Sequence, residues 1–151
     1  MGKGIRFRPE EYYEASHERL RAGIALHQNS EYSSSIYLFG VAIECILRAY
    51  ITADSKEFDE KHVLPRLFTS SGIENLVDDK IRQKMAAAMG NVWARWKNDF
   101  RYASRRKIEG IYRKSNLPKP KGDFLKENSR IILDAASLIV TKGIEKWPKR
   151  N

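Results

Sequence analysis

Residues 35–51, SIYLFGVAIECILRAYI, constrain this chain more than any other stretch. They are apolar around most of a helical circumference, and Glu44 and Arg48 are their only charges. A helix that is apolar all round has to be enclosed by other elements, so the sequence predicts a central helix over residues 32–52. Glu44 and Arg48 stand four residues apart in the favourable order. On a buried helix such a pair needs its own partnership or another one.

The segments around it read as helices that could enclose it. Pro9 suits a first helical position, and Glu10, Glu11 and Glu14 complement the positive end of the turn it opens. That helix runs to residue 28, with Tyr13, Leu20, Ile24 and His27 along one stripe. A polar loop follows the central helix, and then HVLPRLF, a short helical or turn segment interrupted by Pro65. One long helix is expected over 77–103, with Ile81, Met85, Ala88, Val92 and Trp96 as its core face and Phe100 and Trp93 at the edge. A basic helix over 104–115 is weakened by Gly110. A linker rich in proline and lysine leads to a final helix over 123–146, capped by Asp123 and facing the core with Phe124, Asn128, Ile131, Ala135 and Leu138. The expected architecture is all-α: one domain over 1–151, an up-and-down bundle of four to five helices.

The net charge of +9 is unevenly placed. Residues 95–121 hold ten cations and two acids, whereas the rest of the chain has 18 against 17. Clustered basicity points to a local anionic partner, and a solvated cationic face is the plainer alternative. Lys97, Arg101, Arg105, Arg106 and Lys107 are the candidate nucleic-acid contacts. Trp93, Trp96, Phe100, Tyr102 and Tyr112 interleave with them, and helical phase leaves Tyr102 and Tyr112 as the rings able to reach a ligand.

Other chemistries find little footing. The single cysteine, Cys45, lies in the most apolar helix, where a thiol behaves as a small hydrophobe. His17, His27 and His62 make no recognised metal spacing, and each reads as structural or solvent-exposed. There is no GxSxG, glycine-rich phosphate loop or HExxH motif, so no catalytic residue, metal or cofactor is assigned. The N-terminus carries no apolar signal region and no run suits a membrane span, so the expected location is the cytoplasm.

Three stretches, in this order and spacing, resemble a HEPN domain, the helical superfamily named for higher eukaryotes and prokaryotes nucleotide binding. They are residues 32–49 with the Glu44-Cys-Ile-Leu-Arg48 pattern, residues 61–67 (KHVLPRL), and residues 99–102 (DFRY) with an Arg-Tyr element. The resemblance spans roughly residues 10–140. It implies a bundle that is often dimeric, with a polar ligand cleft at the dimer seam, for which Glu44 and Arg48 are the candidate residues. Active members are metal-independent endoribonucleases using an R-x(4–6)-H motif. Here no histidine follows Arg101, and the formal match from Arg21 to His27 falls in the first helix, where its side chains diverge by about 120°. The favoured expectation is therefore a non-catalytic module that binds RNA or a nucleotide, possible company for a toxin–antitoxin or defence system. The alternatives are an interaction protein pairing with a nucleotidyltransferase-type partner, and an endoribonuclease toxin with atypical catalytic groups. A homodimer is expected in each case.

Overall fold

The computed structural model describes residues 4–54, 62–119 and 122–149. The described residues hold six α-helices and no strand: α1 (Pro9–Gln28), α2 (Tyr32–Ala53), α3 (Leu64–Ser71), α4 (Asp79–Trp93), α5 (Arg105–Arg113) and α6 (Phe124–Lys146). Three short 3-10 turns lie at Ile73–Leu76, Asn98–Tyr102 and Trp147–Lys149. The fold is an all-α bundle in which α1, α3 and α6 pack directly on α2, and α4 packs on α6.

Local chemistry sets most of the helix ends. Pro9 opens α1, and the Glu11 carboxylate accepts from the Arg8 N–H at 3.1 Å. Asp78, Ser104 and Asp123 each accept a backbone N–H from the first turn of α4, α5 and α6, satisfying donors the helix itself leaves orphaned. Pro65 does not interrupt its segment. It sits in the first turn of α3, where a missing N–H costs nothing, and Gly72 at φ 71° ends the helix in the left-handed region.

The central helix is as enclosed as its composition requires. By length and hydropathy α2 could cross a membrane, yet its buried face from Ile36 to Ile51 is covered by the other helices. Two buried hydroxyls and a half-buried imidazole tie α1, α2 and α6 together. His27 Nδ1 lies 2.7 Å from Ser129 Oγ, and Ser129 Oγ lies 2.8 Å from Ser35 Oγ. Ser35 donates to the Tyr32 carbonyl, so the Ser129 proton serves Ser35 and His27 Nδ1 must supply its own. Burial, with help from Lys126, holds the His27 imidazolium below its ordinary pKa.

The expected helix over 77–103 is broken. It ends at Trp93, and the chain then turns so that the Trp96 indole reaches α2. There Trp96 Nε1 donates to the Tyr37 carbonyl at 3.0 Å, and the ring fills the space beside Gly40, where a Cβ would overlap it. Capturing one large aromatic ring outweighs continuing the helix. Trp96 and Phe100 are buried as expected, but Trp93, assigned to packing, is 43% exposed. In the last helix Asn128 and Ala135 are buried as expected, but the apolar centre of the face lies one residue on: Leu125, Ile132, Ala136 and Ile139 are buried, whereas Phe124, Ile131 and Leu138 are half-buried.

Candidate nucleic-acid interface

The break after Trp93 creates the basic surface. Residues 98–102 form a 3-10 turn against α2, and Ser104 then starts α5 by accepting the Lys107 N–H at 3.2 Å. Arg101, Tyr102, Arg106 and Lys107 all lie exposed along this short stretch, which makes it a basic ridge. Tyr102 is 80% exposed, and the Arg101 guanidinium lies 4.7 Å from its ring centroid. None of Arg101, Arg106 and Lys107 has a carboxylate partner among the described residues, and Lys97 is likewise exposed without one.

Two of the expected contacts leave the ridge. Arg105 is exposed but occupied: its guanidinium pairs with Glu109 at 2.9 Å and Asp123 at 3.2 Å. Tyr112, expected to reach a ligand, is buried, and its hydroxyl donates to the Arg95 carbonyl at 2.7 Å. Burial pushes its phenol pKa up. The amphipathic period of α5 explains this: Ile108 and Tyr112 are four residues apart on the core side, opposite the cations.

Arg95 also belongs to the interior, although it contributes to the basic count. Its Nε donates to Asn128 Oδ1 at 2.8 Å and its Nη1 to the Asn91 carbonyl at 3.0 Å. That carbonyl lies in the last turn of α4, so the cation meets the negative end of the helix. Desolvation by burial holds the guanidinium pKa below its usual value.

The candidate pair Glu44 and Arg48 forms a compact polar cluster near the other end of α2. Arg48 Nε donates to Glu44 Oε2 at 2.8 Å. His62, which the sequence reading left as structural or exposed, joins them: its Nδ1 lies 2.8 Å from Glu44 Oε1 and 2.9 Å from Oε2. A carboxylate only accepts, so Nδ1 carries the proton and Nε2 is the other ring nitrogen of a side chain that is 40% exposed. The signal that could have found His62 is the acid on a buried helix, which needs more than one donor to satisfy its oxygens. Lys61, in the same segment of the resemblance, lies outside the described residues.

Tyr12 and Tyr37 border the two charged groups. Burial raises the Tyr12 phenol pKa, against the lowering effect of Arg48. Burial also raises the Tyr37 phenol pKa, and Tyr37 lines a hollow together with Arg101. Cys45 is half-buried, and burial together with Glu44 pushes its thiol up to about 11. His17 is exposed, and among the described residues no three His, Cys, Asp or Glu side chains gather to hold a metal ion.

No family model, curated protein or solved structure matches this chain.

Proposed function

We propose that this chain binds RNA or a nucleotide through the ridge at residues 101–107. The observation that carries this reading is the exposed set Arg101, Tyr102, Arg106 and Lys107, whose three cations have no acidic partner among the described residues. Cations left unneutralised on one surface provide salt-dependent affinity for phosphates. The resemblance of residues 99–102 to the Arg-Tyr element of HEPN domains supports the same reading. A titration of labelled RNA at several salt concentrations tests it. Binding that weakens with salt and is lost in a triple R101A/R106A/K107A variant is expected; affinity unchanged in that variant sinks the reading.

A second reading, a metal-independent ribonuclease, is favoured by the Glu44–His62 pair. The carboxylate fixes the imidazole through Nδ1–H, the arrangement in which Nε2 can take up a proton as a general base. Incubating RNA with the protein in a chelator checks it: cleavage should vanish in H62A, and its absence in the parent protein removes the reading.

A further inference from the structure

Two hollows border the stretch that carries Tyr102. Arg101 and Ala103, with Ser33, Ser34, Tyr37 and Leu38 of α2, line a space of about 270 Å³. Ser104, Arg106, Lys107, Gly110, Ile111 and Lys114 line a space of about 410 Å³ along α5. Ala103 belongs to one hollow and Ser104 to the other, so residues 101–107 border both, and the exposed Tyr102 lies in the same stretch.

The hollows offer matching chemistry. The first is lined by Arg101 together with the hydroxyl-bearing residues Ser33, Ser34 and Tyr37. The second holds Arg106, Lys107 and Lys114, none of which has a carboxylate partner among the described residues. It has room as well, since a Cβ at Gly110 would meet nothing within 4 Å. Guanidinium forks and ammonium groups with neighbouring hydroxyls suit phosphate oxygens. An anion in one hollow and an anion in the other would neutralise most of the ridge.

A molecule that supplies both anions runs along residues 101–107, where Tyr102 is the exposed ring. Arg101 is the described cation against that ring, and with 80% of the residue exposed the remaining face is open. An aromatic face between two phosphate sites fits a base that is not already stacked and paired. A duplex keeps its base faces covered by their neighbours and presents only base edges and backbone, so it offers no open face to stack on Tyr102.

We propose that the ligand is a single-stranded nucleic acid, held with backbone phosphates in the two hollows and the base between them stacked on Tyr102. This rests on the binding function proposed above and specifies its ligand. RNA and DNA single strands share the required chemistry, so both belong in the test.

The test is fluorescence anisotropy on the full chain with labelled single-stranded RNA and single-stranded DNA of about 12 nucleotides, and with each strand in duplex form. Either single strand should bind at least about tenfold more tightly than its duplex, a preference of the size one stacked base supplies. Y102A should weaken single-strand binding about 5- to 100-fold and leave the salt slope unchanged, while Y102F retains affinity. R101A and R106A should each flatten the slope by about 0.7, the loss of one phosphate contact from a single strand. Because Tyr102 is so exposed, the thermal midpoint of Y102A should match the parent.

Duplex and single strand binding within about twofold, with Y102A equally within twofold, overturns this proposal and leaves the phosphate-binding ridge standing. No binding of the parent protein to any of these nucleic acids at low salt overturns both.

Discussion

His62 Nδ1 stands 2.8 Å from Glu44 Oε1, on the same carboxylate that accepts Arg48 Nε at 2.8 Å. A single buried acid therefore joins the central helix to the segment that begins α3. Glu44→Ala removes the acceptor shared by two donors and should cost about 3–5 kcal/mol. His62→Ala, at a side chain 40% exposed, should cost about 1 kcal/mol or less. Urea unfolding of both variants measures the difference; equal losses would show that the carboxylate is not the centre of the cluster.

Gly40 lies under the Trp96 indole. Gly40→Ala should displace the ring and lengthen its bond to the Tyr37 carbonyl, at a cost of about 1–3 kcal/mol or more. A fall in thermal midpoint with a change in tryptophan fluorescence is the expected outcome. A midpoint equal to the parent's would contradict the packing described for the end of α4.

Arg105 and Arg106 are adjacent in sequence but differ in what they can offer a ligand. Arg105 is engaged by Glu109 and Asp123, whereas Arg106 borders the α5 hollow without an acid. R105A should leave the salt slope of RNA binding unchanged, and R106A should lower it by about 0.7. Identical slopes for the two variants would undo the distinction.

The His27 shift has a sign that stability measurements can read. Its folded-state pKa is depressed, chiefly by burial, below the unfolded value of about 6.5. The unfolded chain then binds the extra proton first, so the contribution is fully present above that value and is lost as pH falls through the folded pKa. H27Q, which keeps a donor for Ser129, should show a flatter fall in thermal midpoint between about pH 7 and 5. Parallel curves for parent and variant would contradict the assignment.

With its thiol pushed up to about 11, Cys45 holds little thiolate at neutral pH. Alkylation by iodoacetamide should be much slower in the folded protein than in urea, since the thiolate is the nucleophile. Equal rates would place the thiol in a more polar setting than the one described.

The central helix, the all-α class, Pro9 at the start of α1 and the cap at Asp123 follow from local signals: periodicity, proline position and the hydrogen-bonding reach of a short polar side chain. The exposed Arg101, Tyr102, Arg106 and Lys107 were legible for the same reason, as a run of charge with one ring in it. What the sequence by itself determined is thus which segments are helical, which helix is innermost and where the excess charge lies. Only the tertiary structure decided that the helix stops at Trp93, that Tyr112 and Arg95 turn inward, that Arg105 is neutralised by Asp123, and that His62 meets Glu44. Those outcomes depend on partners far away in the chain: a ring seeking the gap beside Gly40, a cation reaching Asn128, a carboxylate gathering two donors. Periodicity carries no information about such partners, because their energies arise only when the helices pack.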